Sequence, residues 1–259
     1  METTNRIVNI VLAGKINSRL WPLHKKQQLK QNLNLHAGKS IFEITLNRNA
    51  VIADKILIVG DIENYHFSDE IMKKCKKNNS YIVEAMQRNT AASITFAALD
   101  SNSEDILIIT PADHIVDSDI LYYAALSHAV TIARNNLIVL LGIKPVRRES
   151  NYDYIEYDRQ NVLAFYEKPN LATAKQFLEK GNYYWDSGIF CCKAGVFLTE
   201  LQKHEPLLYQ TAKVAWEAND KGHLNYEMSI QIPAMSVGNA VMNRSTNLQV
   251  VPSYFGWSK

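Results

Sequence analysis

Three short segments of the sequence carry residue types that bind phosphate, metal ions or sugars. The first is the loop over residues 13–23, which follows the first apolar run. Backbone N–H groups of such a loop can face phosphate oxygens, and Lys15 and Arg19 would add charge-assisted hydrogen bonds. A simple turn from strand to loop explains the segment equally well, because the single glycine Gly14 is weak evidence for phosphate binding.

The second segment, residues 110–114, ends another apolar run and contains Asp113 and His114. A carboxylate at the end of a buried strand is well situated to hold Mg²⁺, which would bridge nucleotide phosphates. An aspartate that caps a helix or closes a turn is the alternative interpretation. We expect His114 to be a structural neighbour and not a metal ligand, because Mg²⁺ prefers oxygen.

The third segment is Glu167, Lys168 and Pro169, at the end of a predicted hairpin. Lys168 could bind a substrate phosphate, and Glu167 could accept hydrogen bonds from sugar hydroxyls. Pro169 and Asn170 would begin the next helix. Taken alone, the segment is better explained by an exposed ion pair before a helix.

The elements that must position these segments alternate between strand and helix. Short apolar runs rich in β-branched residues predict buried strands, and amphipathic stretches between them predict helices. Ser40 and Glu43 form a capping box for the first helix, and Asn89 is predicted to cap another. This alternation predicts an α/β fold with a mainly parallel sheet, flanking helices and ligands at the carboxyl ends of the strands. The predicted strands are residues 7–13, 55–59, 81–84, 106–110 and 137–142, and the predicted helices are 40–47, 90–99 and 120–135.

After Gly142 the pattern changes from crossovers to a β-hairpin, which is predicted over residues 154–157 and 162–166. Such an insertion suits a substrate-covering role. No Gly/Pro/Ser-rich linker and no internal repeat divides the chain, so we expect a single domain over residues 1–259. The remaining predicted elements are helices at 171–180, 196–204 and 207–219 and a last strand at 248–251.

The composition excludes several classes of protein. With 47% hydrophobic residues and a formal charge of +2, the chain is typical of a globular protein, and its scattered Lys and Arg argue against nucleic-acid binding. Cys75, Cys191 and Cys192 form no metal or disulfide pattern, which indicates a reducing compartment. The polar N-terminus has no signal-peptide layout, and no apolar run is long enough to cross a bilayer. We therefore expect a cytoplasmic protein with no membrane partner.

The three segments and six others follow the motif order of the sugar-1-phosphate nucleotidyltransferases, a family that this chain resembles. The resemblance runs from about residue 7 to residue 258 and points to the bacterial mannose-1-phosphate guanylyltransferase branch. The matching segments are residues 14–23, 29–31, 88–90, 111–114, 151–155, 167–169, 185–190, 236–243 and 257–258.

This resemblance implies a Rossmann-like nucleotide-diphospho-sugar transferase fold and a single in-line displacement. GMP would pass from GTP to mannose 1-phosphate with Mg²⁺ assistance, giving GDP-mannose for polysaccharide biosynthesis and pyrophosphate. The partners are then two small substrates, and homodimerisation is left open. By motif, the catalytic residues would be Arg19, Lys30 and Asp113, and Asp113 would also bind the metal. The nucleotide-binding residues would be Ala13, Gly14, Lys15, Arg19, Arg88, Asn89 and Thr90, and the sugar-phosphate-binding residues Tyr152, Glu167, Lys168 and Asp186.

Several positions depart from the family pattern. Lys15, Asn17, Asn151 and Asp153 stand where the family has glycine, and Asp186 stands where it has asparagine. Gly238 and Lys259 stand where it has aspartate, and at Lys259 that aspartate would be the second metal ligand. The family's usual C-terminal extension is also expected to be absent. These departures predict impaired activity or, as the alternative, a catalytically inactive protein of this fold that binds nucleotide, sugar nucleotide or a partner subunit in a regulatory role.

Overall fold

The apolar runs of the sequence form the strands of a nine-stranded sheet. In the computed structural model, the described residues are 5–13, 34–36 (backbone only) and 39–259. Two short pairs lie outside this sheet, β2 (Asn34–His36) with β3 (Lys39–Ser40) and β7 (Ile115–Val116) with β13 (Trp257–Ser258). The strands of the main sheet are β1 (Ile7–Leu12), β4 (Lys55–Gly60), β5 (Asn78–Val83), β6 (Ile106–Pro111), β8 (Ile138–Ile143), β9 (Tyr154–Asp158), β10 (Asn161–Tyr166), β11 (Tyr183–Lys193) and β12 (Leu248–Ser253).

The strand order is β5-β4-β1-β6-β11-β8-β12-β10-β9. Within the described residues, β10 and β11 run opposite to the other seven strands of this sheet, which agrees with the predicted mainly parallel arrangement. The predicted hairpin is β9 and β10, which pair antiparallel. Parallel strands such as β1 and β6 are buried on both faces, which explains their continuous apolar sequences.

Strand β11 was not predicted, although with 11 residues it is the longest strand described. Its middle, Asp186-Ser187-Gly188, interrupts the apolar pattern, and the pairing with β8 shifts register between Asp186 and Phe190. The predicted start of β5, residue 81, is later than its observed start, Asn78. The first three residues, Asn78, Asn79 and Ser80, are polar residues of an edge strand and do not belong to the apolar run.

The helices cover both faces of the sheet. On one face, Phe96, Phe197 and Leu208 pack with strand residues such as Leu57 and Leu107. On the other, separate clusters form around Phe42 with Val11 and around Tyr122 with Leu141. The helices are α1 (Ile41–Asn49), α2 (Ile62–Lys74), α3 (Asn89–Leu99), α4 (Asp119–Ala133), α5 (Leu171–Lys180), α6 (Ala194–His204), α7 (Pro206–Glu217) and α8 (Tyr226–Ser229), with a π-helix at Gly238–Met242.

Helix starts follow the predicted caps in one case and differ in another. The Ser40 hydroxyl accepts a hydrogen bond from the amide of Glu43 at 3.1 Å, as the capping box predicts. Asn89, however, is not the N-cap of α3. Arg88 occupies that position, and Asn89 has a φ of 70° while its side chain accepts a hydrogen bond from the adjacent Thr90 amide. Among the described residues, no helix is long and apolar enough to cross a membrane.

Candidate functional site

A cleft of about 460 Å³ opens at the carboxyl ends of β1 and β6. Strand ends supply Leu12 and Pro111, and the start of α3 supplies Asn89 and Thr90. The opposite walls come from the end of the hairpin, the irregular middle of β11 and the segment that leads into the π-helix. Polar and charged lining residues are Asn89, Thr90, Asp113, His114, Asp153, Glu167, Lys168, Asp186, Ser236 and Lys259.

A second cavity, of about 420 Å³, adjoins the first and shares Leu12, Asn89 and Thr90 with it. Ala13, which follows β1, and Glu84, which follows β5, also line this second cavity. Glu84 is buried, and its Oε1 accepts a hydrogen bond from the Ser93 hydroxyl at 2.8 Å. The two cavities adjoin at the shared residues, and carboxyl groups line both of them.

Asp113 follows β6 and lies between two residues that are held by hydrogen bonds. The Ala112 amide donates to the Leu12 carbonyl at 3.1 Å, which ties the turn to β1. His114 is buried, with its Nε2 3.7 Å from the Asp113 Oδ1. The indole of Trp257 donates to the His114 Nδ1 at 3.2 Å. Because that Nδ1 accepts a hydrogen bond, the neutral ring carries its proton on Nε2, on the side of Asp113.

Asp186, in the irregular middle of β11, and Asp153, just before β9, bring two interacting carboxyl groups together. The Asp186 amide donates to the Asp153 carbonyl at 2.8 Å, and the Asp186 Oδ1 accepts from the Gly188 amide at 3.1 Å. The Asp153 Oδ1 accepts from the Lys168 amide at 3.0 Å.

Burial, and secondarily the charge of Asp153, raises the pKa of Asp186 to about 7. Burial also raises the pKa of Asp153, against the opposing effects of the Lys168 amide and the Lys259 ammonium. This part of the cleft therefore gains negative charge as the pH rises through neutrality.

Glu167 and Lys168 extend from the end of β10 into the cleft. The Glu167 Oε2 accepts a hydrogen bond from the Ser236 hydroxyl at 2.8 Å, and its Oε1 is 3.9 Å from the Lys168 ammonium. Lys168 has a φ of 41°, and its side chain is 53% exposed. An exposed ammonium beside an oriented carboxylate can bind a phosphate and a hydroxyl of the same ligand.

The structure brings most of the described candidate residues together. Asn89, Thr90, Asp113, Glu167, Lys168 and Asp186 line the first cavity, and Ala13 lines the second. Arg88 and Tyr152 line neither cavity. The Arg88 Nε donates to the Ile232 carbonyl at 2.5 Å, and the Tyr152 ring packs edge-on against Trp185 and Trp257, with centroids 5.2 and 5.0 Å away. Gly14, Lys15, Arg19 and Lys30 lie outside the described residues.

Two residues of the site were missed from the sequence. Glu84 directly follows an apolar strand, which is the same signal that identified Asp113, so it could have been found. Ser236 has no local signal, because its partner Glu167 is 69 residues away in the chain.

Comparison with known proteins gives consistent similarities. The family model described as nucleotidyl transferase matches residues 8–232. The chain is 32% identical to the xanthan biosynthesis protein XanB of Xanthomonas campestris pv. campestris (strain B100) and 34% identical to mannose-1-phosphate guanylyltransferase 2 of Escherichia coli O157:H7. Each match covers 97% of this chain and 57% of the relative, so the chain spans little more than half the length of these curated relatives.

Solved structures share the fold. A Helicobacter pylori structure titled mannose-6-phosphate isomerase is 32% identical, with a TM-score of 0.90 over 98% of this chain and 100% of that one. A Thermus thermophilus structure titled mannose-1-phosphate geranyltransferase is 26% identical, with a TM-score of 0.85 over 98% of this chain and 76% of that one. These similarities confirm the predicted Rossmann-like α/β fold.

Proposed function

This chain belongs to the nucleotidyl transferase family, and on that basis we propose that it transfers GMP from GTP to mannose 1-phosphate, giving GDP-mannose and pyrophosphate. The observation that carries the proposal is the convergence of Asp113, Glu167 and Lys168 on the first cavity. The similarity to named mannose-1-phosphate guanylyltransferases supports the choice of base and sugar. By analogy with relatives named for xanthan and alginate biosynthesis, the product would supply a polysaccharide.

The shape of the site supports two ligands that meet. Small-molecule pockets enclose about 300–1,000 Å³, so cavities of about 420 and 460 Å³ are each large enough for one substrate. We assign the nucleotide to the cavity that contains Ala13 and Glu84, and the sugar phosphate to the cavity that contains Glu167 and Lys168. The shared residues Asn89 and Thr90 then lie where the two ligands adjoin.

The reaction is an in-line displacement. A phosphate oxygen of mannose 1-phosphate attacks the α-phosphorus of GTP, the bond to the β-phosphate oxygen breaks, and pyrophosphate leaves. Lys168 binds the attacking phosphate and Glu167 accepts hydrogen bonds from sugar hydroxyls. Arg19 and Lys30 would bind the triphosphate side. Alignment of the two phosphates and compensation of their charge would supply most of the rate.

Mg²⁺ fits this site as a partner of the substrate phosphates. Among the described residues, no group of three His, Cys, Asp or Glu side chains could hold a metal ion without the substrates. Mg²⁺ is commonly held by one or two carboxylates together with substrate phosphates, and Asp113 offers such a carboxylate in the cleft. The ion would offset the negative charge of the reacting phosphates.

The test is pyrophosphate release from GTP and mannose 1-phosphate with Mg²⁺, for the natural sequence and for Asp113→Ala. We expect turnover that falls at least about 100-fold in Asp113→Ala, with no change in Asp158→Ala, a matched control at the exposed hairpin turn. Absence of turnover with every nucleoside triphosphate and sugar phosphate tried contradicts the proposal. Calorimetric binding of GTP or GDP-mannose would then support the inactive, regulatory alternative.

A further inference from the structure

Two consecutive residues connect opposite sides of the cleft. The Ser236 hydroxyl donates to the Glu167 Oε2 at 2.8 Å, on the sugar-phosphate side. The next amide, that of Val237, donates to the Thr90 Oγ1 at 2.9 Å, at the start of α3. Ser236 and Val237 both line the cleft between these partners. We call this pair of hydrogen bonds the 236–237 bridge.

The chain before the bridge is anchored to the same end of α3. The Arg88 Nε donates to the Ile232 carbonyl at 2.5 Å, and the Ala91 amide donates to the Met235 carbonyl at 3.2 Å. Residues 232–237 are therefore held to the start of α3, and the Ser236 hydroxyl connects this segment to Glu167.

The chain after the bridge fixes the direction of the Ser236 hydroxyl. The Asn239 amide donates to the Ser236 Oγ at 3.2 Å, so the hydroxyl acts as an acceptor there and directs its single proton to Glu167. Gly238 leaves little space beside this contact, since a Cβ on it would lie 3.1 Å from a Phe165 ring carbon and 3.5 Å from the Glu167 Oε2. The π-helix that follows belongs to a class that is often found at functional sites.

These contacts determine which atoms of Glu167 and Thr90 remain available to bind a ligand. With its Oε2 bonded to Ser236, Glu167 presents Oε1, the oxygen nearer the Lys168 ammonium. With its oxygen accepting from Val237, the Thr90 hydroxyl retains its own proton as a donor. A ligand that shifts α3 would therefore shift Ser236, and through it the orientation of Glu167.

We propose that Ser236 is a positioning residue for Glu167 and that the 236–237 bridge couples nucleotide binding to sugar-phosphate binding. This inference rests on the proposed function of the cleft. It adds that the two substrates bind more tightly together than separately, because each orders one end of the same short segment.

The first test uses substrate kinetics with varied GTP and mannose 1-phosphate. A hydrogen bond to a charged group has an effect of about tenfold or more on binding. Ser236→Ala should therefore raise the KM for mannose 1-phosphate about tenfold and change kcat less than about threefold. Ser236→Thr, which keeps the hydroxyl, should recover most of this loss. Ser101→Ala, a matched serine at the far end of α3, should leave both constants unchanged.

The second test measures coupling by titrating mannose 1-phosphate with and without α,β-methylene-GTP, which resists transfer. The nucleotide analogue should tighten sugar-phosphate binding several-fold in the natural sequence, and this enhancement should disappear in Ser236→Ala and in Thr90→Val. Thr199→Val, on the exposed surface of α6, is the matched control for the threonine change. Equal enhancement in all variants overturns the inference.

A third measurement separates the bridge from the proposed function. In the ligand-free protein, hydrogen exchange at the Asn239 amide should accelerate in Ser236→Ala, and exchange at the Val237 amide should accelerate in Thr90→Val, because each amide loses its acceptor. Both should stay unchanged in Ser101→Ala. Unchanged exchange refutes the bridge even if the enzyme is active. If exchange accelerates but neither substrate binds the natural sequence, the proposed function fails, and the coupling role fails with it.

Discussion

Asp186 gives the cleft a pH dependence whose size can be worked from the structure. Its pKa is about 7, raised from 3.8, and burial is the main cause. One pKa unit corresponds to about 1.4 kcal/mol, so the full shift would make ionisation of Asp186 about 4 kcal/mol less favourable in the folded protein than in the unfolded chain. Because the side chain is partly accessible to water, we expect about half of that figure, ~2 kcal/mol.

The direction in which stability changes with pH follows from the linkage between proton binding and folding. A carboxyl whose pKa is raised by folding binds its proton more tightly in the native state, so the protein loses stability as the pH rises from about 4 to above 7. Asp186→Asn removes the ionisable group while keeping nearly the same shape. The variant should equal the natural sequence near pH 4 and exceed its free energy of unfolding by ~2 kcal/mol near pH 8.5.

The assay is urea unfolding of both proteins at several pH values between 4.5 and 8.5. Asp158→Asn, at the exposed hairpin turn, is the matched control and should show no pH-dependent difference. If the difference between Asp186→Asn and the natural sequence does not grow with pH, the assignment of a carboxyl group with a raised pKa to this position is wrong. Affinity for mannose 1-phosphate should fall over the same interval in the natural sequence, because a new negative charge opposes the phosphate.

Two further predictions test the role of Lys168 in binding the sugar phosphate and the backbone conformation of Gly188 in the same cavity. Lys168→Met should raise the KM for mannose 1-phosphate about tenfold or more with little change in the KM for GTP, and an equal rise for both substrates would argue against this division of the cleft. Gly188 has a φ of 71° and would place a Cβ 3.3 Å from the Pro111 ring, whereas Gly181 has a φ of 76° with open space around it. Both substitutions introduce backbone strain of about 1–3 kcal/mol, and only Gly188→Ala adds crowding. Gly188→Ala should therefore lower Tm more than Gly181→Ala, and the reverse order in a thermal melt would contradict the local geometry.

Much of the fold was predictable because parallel strands buried on both faces have distinctive sequences. β1 and β6 are continuous apolar runs, and the residues after them, Ala13 and Asp113, consequently appeared as site candidates. β11 could not be found in this way. At its centre, Asp186 and Gly188 line the cleft and the pairing with β8 shifts register, so these residues interrupt the apolar pattern that identifies a strand.

Contacts between segments that are distant in the chain could not be predicted, because no local pattern indicates them. Motif order identified Glu167 and Lys168, but nothing local indicates that Ser236 orients one of them. Arg88 illustrates the opposite case. Its motif predicts nucleotide binding, which stays a prediction, and the structure adds a hydrogen bond from its Nε to the Ile232 carbonyl, outside the lining of both cavities.

The central claim is nucleotidyl transfer in the cleft, and transfer of label from GTP tests it most directly. With GTP labelled at the α-phosphate, mannose 1-phosphate and Mg²⁺, the label should appear in GDP-mannose in the natural sequence and be lost in Asp113→Asn. Label that stays in GTP and its hydrolysis products, with no sugar nucleotide formed from any nucleoside triphosphate and sugar 1-phosphate supplied, would contradict the account.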